Sequence, residues 1–121
     1  MGNKRLRVLV VEPATRFRDM VLETLANDRH VATGVGSGKE ALARLAERGD
    51  AFDLVITSTD AAGMSGVEFG LRVRKSGNRV PIVFMTVHRP AGEQLPVSNC
   101  VEAFKFGGTR NYIAAYERLV A

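Results

Sequence analysis

One cysteine, Cys100, stands in 121 residues. A lone cysteine excludes an intramolecular disulfide framework and fits a reducing compartment. No apolar run approaches the roughly 18 residues that a membrane span requires. "VLVV" behind "NKRLR" is too short for the apolar centre of a secretory signal, and Leu6 occupies the position where a myristoylation signal has Ser or Thr. A cytoplasmic address is expected. Repeats, linkers and low-complexity tracts are also missing, so residues 1–121 are expected to form one domain. A chain of this length buries roughly two thirds of its unfolded surface and needs no staples. Helix-turn-helix, zinc-finger and base-stacking patterns are absent. The net charge of +4 is spread over many positions, including Arg16, Arg18, Arg44 and Arg72, with "NKRLR" the densest cluster. It reads as a mildly basic, solvated surface before it reads as a nucleic-acid patch.

Strand and helix signals alternate from end to end, which calls for a parallel sheet with crossover helices. "LRVLVV" (6–11) is a buried strand closed by Pro13, and a helix over 14–27 uses Phe17, Met20, Val21 and Leu25 on one face. "HVATGV" is the second strand. Ser37 with Glu40 forms a capping box that opens a second helix, striped by Ala41, Leu42 and Leu45. The third strand, 52–57, leads to Ser58 at its tip. Ser65 with Glu68 caps a third helix whose inner face takes Val67, Leu71 and Val73. Gly70 inside that helix costs about 1 kcal/mol relative to Ala, so a close neighbour is expected there. "VPIVFMT" (80–86) is the fourth strand and "VEAFKF" the fifth. Thr109 is expected to cap a last helix carrying Tyr112, Ile113, Tyr116, Leu119 and Val120 on one side. Between Thr86 and Val101, Pro90, Gly92 and Pro96 leave room only for a short or irregular fourth helix.

These five βα units resemble the receiver domain of bacterial two-component response regulators, the chemotaxis-regulator-like family. The resemblance rests on "RVLVVE", "FDLVIT", "GMSGVEFGLRVR" and "VPIVFMT". It implies an α/β, flavodoxin-like (βα)5 sandwich with a five-stranded parallel sheet of order 2-1-3-4-5. Receivers use two acids after the first strand, an aspartate phosphoacceptor at the third strand's tip, a Ser or Thr ending the fourth and a lysine ending the fifth. A carboxylate must attack a phosphoryl group whose growing charge is balanced by Mg²⁺ and by the lysine.

Carried across residue by residue, the set is eroded. Glu12 matches the first acid, Pro13 stands at the second, and Ser58 replaces the phosphoacceptor. Thr86 matches the hydroxyl. Lys105 in "AFKFGG" takes the lysine's place across a shortened fourth-helix region, with Phe106 where a proline usually follows. One fixed carboxylate binds Mg²⁺ poorly, so loss or weakening of Mg²⁺ binding is expected and no cofactor is assigned. A serine hydroxyl without a base beside it is a weak nucleophile. Glu12 is therefore expected to pair with Lys105 or a backbone donor, which would lock the site in one state.

The expected function is a phosphorylation-independent, non-enzymatic interaction module of bacterial signalling. Its surface would be the face of the fourth helix, fifth strand and fifth helix, with Phe104, Tyr112 and Tyr116 as interface candidates for a protein partner or self-association. Asp60, on the loop after the third strand, is the alternative acceptor if Mg²⁺ is held after all, although it also reads as a turn residue bonding its own backbone. A second alternative is a nucleic-acid-associated regulator that uses the basic surface. "GVGSGKE" is one residue short of a phosphate loop, Ser58 is in no Gly-x-Ser-x-Gly elbow, and His30 and His88 have no reason to meet it. Cys100 reads as a structural thiol.

Overall fold

A computed structural model describes residues 4–47, 49, 51–59, 63–87 and 95–121. Its elements are β1 (Arg7–Val11), α1 (Thr15–Asn27), β2 (Val31–Val35), α2 (Gly38–Ala46), β3 (Leu54–Ser58), α3 (Gly66–Lys75), β4 (Ile82–Thr86), β5 (Cys100–Phe104), a 3-10 turn (Lys105–Gly107) and α4 (Thr109–Val120). All strand pairs are parallel and the sheet order is β2-β1-β3-β4-β5. This is the doubly wound, flavodoxin-like arrangement expected from the alternation. Because side chains alternate along a strand, Val8 and Val10 join one core with Val21, Leu25, Tyr112 and Tyr116. Leu9 and Val11 join the other with Ala41, Phe69 and Val73. Helices α1 and α4 thus cover one face, and α2 and α3 the other. A sheet buried on both faces explains why β3 and β4 read as unbroken apolar runs.

Both serines cap their helices as expected. The Ser37 hydroxyl oxygen accepts from the Glu40 N–H at 3.2 Å, and Ser65 accepts from Glu68 N–H at 3.1 Å. A Cβ at Gly70 would lie 3.1 Å from both Val97 methyls and 3.2 Å from the Phe84 ring. The close neighbour anticipated there is Val97, from the connection between β4 and β5. Arg74 fixes that connection by donating to the carbonyls of Asn78, Ser98 and Asn99. Residues 95–99 carry no helix, and 88–94 lie outside the described residues, so most of the segment expected to hold a fourth helix does too. The last helix is therefore α4.

Several local expectations are corrected. β5 spans Cys100–Phe104 rather than 101–106, because the chain turns at Lys105 toward Gly107 and Gly108. Gly108, at φ 88°, is the N-cap of α4 and Thr109 is its first residue, with no side-chain cap. Met20, Leu71 and Val120 are exposed, whereas Phe69 takes the inner place assigned to Leu71. Tyr112 and Tyr116 both pack inward at 1% and 9% exposure, so neither is a surface anchor. A helix lying against both a sheet and a neighbouring helix buries a wider stripe than its apolar periodicity alone indicates.

Candidate functional site

The strand register sets the site. Val11 pairs with both Val35 and Thr57, Ser58 with Met85, and Thr86 with Phe104. Glu12, Ser58, Thr86 and Lys105 therefore stand at the carboxyl ends of β1, β3, β4 and β5. The strand order reverses between β1 and β3, the place where open α/β sheets leave their binding crevice. Pro13 is exposed and has no N–H to offer.

Glu12 is buried, with a side chain only 2% exposed, and the Lys105 ammonium lies 2.7 Å from its Oε1. Lys105 is that oxygen's only partner among the described residues, and it approaches outside hydrogen-bond alignment. The contact is therefore chiefly Coulombic. The second oxygen, Oε2, accepts from Ala14 N–H at 2.9 Å. Both partners foreseen for Glu12, the lysine and a backbone donor, are thus present at once. The Lys105 ammonium also sits 4.7 Å from the centre of the Phe17 ring, a cation–π contact that holds it over the carboxylate.

Two further groups brace this pair. The Arg18 guanidinium donates to the Glu12 carbonyl at 2.9 Å. It reaches there because Gly34 and Gly36 leave its path clear: a Cβ at Gly36 would lie 3.1 Å from an Arg18 nitrogen. By sequence Arg18 reads as part of the solvated basic surface; glycines within and just after a strand, a sign of close approach by another group, are the signal that singles it out. The Tyr112 hydroxyl donates to the Lys105 carbonyl. Burial, and then the Glu12 carboxylate, push the Tyr112 phenol up to about 12.

A raised phenol gives a definite pH dependence. The folded chain keeps a proton that the unfolded chain releases above the ordinary value of 10. The stability this contributes is therefore complete below pH 10 and is lost as pH rises through about 12. An ultraviolet titration of the folded protein should show a tyrosinate step near pH 12 that Tyr112→Phe removes.

Ser58 and Thr86 are buried at 3% and 8% exposure, and each is engaged with neighbours. Asp60 lies outside the described residues. Among the described residues no three His, Cys, Asp or Glu side chains converge. The one carboxylate among the described residues of the site is already held by an ammonium and an amide, whereas Mg²⁺ keeps its waters unless several oxygens replace them. Serine-hydrolase geometry has no support either. His30 Nδ1 accepts from Leu6 N–H at 3.0 Å, at the amino end of the sheet and so opposite Ser58, and His88 lies outside the described residues. "GVGSGKE" is the capped start of α2. Cys100 is half-buried and its thiol donates to the Val97 carbonyl at 3.1 Å. Burial pushes the thiol up, partly offset by the Arg74 guanidinium. An aromatic disulfide reagent should therefore react slowly with native protein at neutral pH and much faster in urea.

The response regulator receiver domain family matches residues 8–103. The chain belongs to this family. The chemotaxis response regulator CheY4 of Vibrio cholerae has a similar structure, with a TM-score of 0.80 at 22% identity, covering 96% of this chain and 99% of that one. The response regulator TrrA of Thermotoga maritima, solved with Mg²⁺ and BeF, gives a TM-score of 0.77 at 22% identity over 94% of this chain and 98% of that one. The uncharacterized transcriptional regulatory protein YrkP of Bacillus subtilis is 38% identical over 80 residues, which are 66% of this chain and 33% of that protein. The receiver spans about a third of the length of the curated relatives it matches. No helix among its described residues is long and apolar enough to cross a membrane. Receivers are modules of two-component signalling, and this chain is one of them.

Proposed function

We propose that this receiver signals without phosphorylation, as a non-enzymatic cytoplasmic module with no Mg²⁺ requirement. The observation that carries the reading is the Lys105 ammonium resting 2.7 Å from Glu12. In a phosphorylated receiver the lysine must balance charge on an incoming phosphoryl group and the acids must hold a cation. Here the lysine and the one described acid neutralise each other. Ser58, at the tip of β3, offers a neutral hydroxyl, a weak nucleophile unless a base activates it. Output then comes from protein contact in a preset conformation, on the side of β5 and α4, where Phe104 is the exposed candidate. The name of the Bacillus relative, a transcriptional regulatory protein, is compatible with a receiver that forms the sensing part of a longer regulator.

An amide NMR titration with Mg²⁺ and then beryllofluoride, which mimics a phosphoryl group on a carboxylate, tests this. Millimolar concentrations should leave Glu12, Thr86 and Lys105 unshifted. Shifts there that spread into α4 would overturn the reading and make Asp60 the acceptor to mutate. DNA binding that falls steeply with salt would instead favour the basic surface.

A further inference from the structure

At the amino end of the sheet, opposite Glu12 and Lys105, an apolar space stays open. Helices α2 and α3 both run back to that end and stop at Ala46 and Lys75. Between them lies a cleft of 570 Å³, walled by Leu42, Leu45, Ala46 and Val73, with Ser76, Gly77 and Asn78 completing its lining. Ala46 and Gly77, one at the end of each helix, have almost no side chain to put into it. Gly77, at φ 89°, is the left-handed residue that follows α3. The volume falls within the roughly 300–1,000 Å³ of small-molecule sites. Among the described residues no aromatic ring lines the cleft, which favours a flexible hydrocarbon chain over a flat ring that stacks.

The polar groups at the end of α3 are unequally engaged. Ser76 Oγ donates to the Val73 carbonyl at 2.6 Å, and the Ser76 and Gly77 amides donate to the carbonyls of Arg72 and Arg74 at 3.1 and 3.0 Å. Those bonds occupy the last carbonyls of the helix and blunt the negative end of its dipole. Asn78 Oδ1 accepts from Val80 N–H at 2.9 Å, which fixes the amide and leaves Nδ2 a donor with no partner among the described residues. Lys75 and Arg79 flank residues 76–78 in the chain; both are exposed, and neither makes an ion pair among the described residues. Glu47, the acid beside Ala46, pairs with Arg44 at 3.9 Å.

We propose that this cleft binds a small aliphatic carboxylate. Its hydrocarbon chain would lie against Leu42, Leu45, Ala46 and Val73, and its head group would accept from Asn78 Nδ2 with Lys75 and Arg79 supplying the counter-charge. An occupant would pin the ends of α2 and α3 together, giving the chain an input that does not use the strand tips. The site lies at the other end of the sheet from the eroded phosphorylation pocket, so it goes beyond that reading and stands whether or not the reading holds.

The test titrates the whole chain with octanoate and reads amide NMR shifts. Saturable binding is expected, with shifts confined to residues 42–47 and 73–80. The neutral alcohol 1-octanol keeps the chain but loses the charge, and should bind about tenfold more weakly, the difference between a charge-assisted and a neutral hydrogen bond. Acetate, which lacks the chain, should not bind at millimolar concentration. Ala46→Leu should fill the cleft and weaken octanoate at least about tenfold. It should not lower the unfolding midpoint, because residue 46 is exposed and leucine is a good helix former. Asn78→Asp keeps the acceptor for Val80 N–H and replaces the free donor with a negative charge, so it too should weaken octanoate at least about tenfold. No saturable binding at millimolar octanoate, shifts elsewhere, octanol binding as tightly as octanoate, or unchanged affinity in either variant would overturn the proposal. Shifts at these residues that follow protein concentration alone would overturn it as well, because they would make the cleft a contact between copies of the chain.

Discussion

Lys105→Met is expected to destabilise the receiver by about 3 kcal/mol, because it leaves the Glu12 carboxylate buried without its counter-charge. The side chain of Glu12 is only 2% exposed, so water cannot readily replace the ammonium. The Ala14 amide stays as a partner for Oε2 and limits the loss. Glu12→Gln combined with Lys105→Met should recover to within about 1 kcal/mol of the parent, since a neutral amide can still accept from Ala14 and no unpaired charge remains. Urea unfolding, compared at constant m-value, measures both. A Lys105→Met midpoint equal to the parent's would mean that solvent reaches Glu12 and that the pair locks nothing.

Gly66→Ala should be the most damaging of the glycine substitutions along α3, at about 2 to 3 kcal/mol. An added Cβ would lie 2.7 Å from the Ser58 carbonyl oxygen and 3.0 Å from the Thr59 Cα. Both are backbone atoms, so neither rotates away. The start of α3 is also tied to this segment, since Gly66 N–H donates to the Thr59 carbonyl at 3.2 Å. Relief therefore requires the helix to move off the tip of β3, which would show as amide shifts across Ser58 and Thr59. Gly70→Ala is the useful contrast. Its Cβ would meet side-chain atoms at 3.1 and 3.2 Å, and replacing glycine within a helix gains about 1 kcal/mol. The two effects nearly cancel, so thermal unfolding should rank Gly66→Ala far below Gly70→Ala. The reverse order would mean that Val97 and Phe84 are held more rigidly than the backbone at the tip of β3.

The serine caps of α2 and α3, the parallel sheet and the crowding at Gly70 were all legible in the chain, because each depends on residues within a few positions or on strict alternation. The pairing of Glu12 with Lys105 was foreseen through the family resemblance; spacing along the chain could not supply it. Less was legible where a side chain answers to two neighbours. Tyr112 and Tyr116 share a helical stripe with residues at its rim, and only the packing of α4 against both the sheet and α1 turned both inward. Arg18 reads as one more surface charge along the chain, and only the fold shows Gly34 and Gly36 clearing its path to the Glu12 carbonyl. Phe106, in the turn after β5, packs edge to face on Phe104 and on Phe17 of α1, about ninety positions away, and no local pattern announces that cluster.

By itself, then, the sequence determined the order and kind of the elements, and through the family resemblance it puts Pro13 and Ser58 where receivers carry acids, because hydrophobic period, capping chemistry and residue identity are local properties. Only the tertiary structure decided that the surviving carboxylate is closed off by Lys105 and that three phenylalanines meet beside it. Those contacts depend on how strand ends distant in the chain are brought to one edge, and register and crossover geometry, rather than composition, control that.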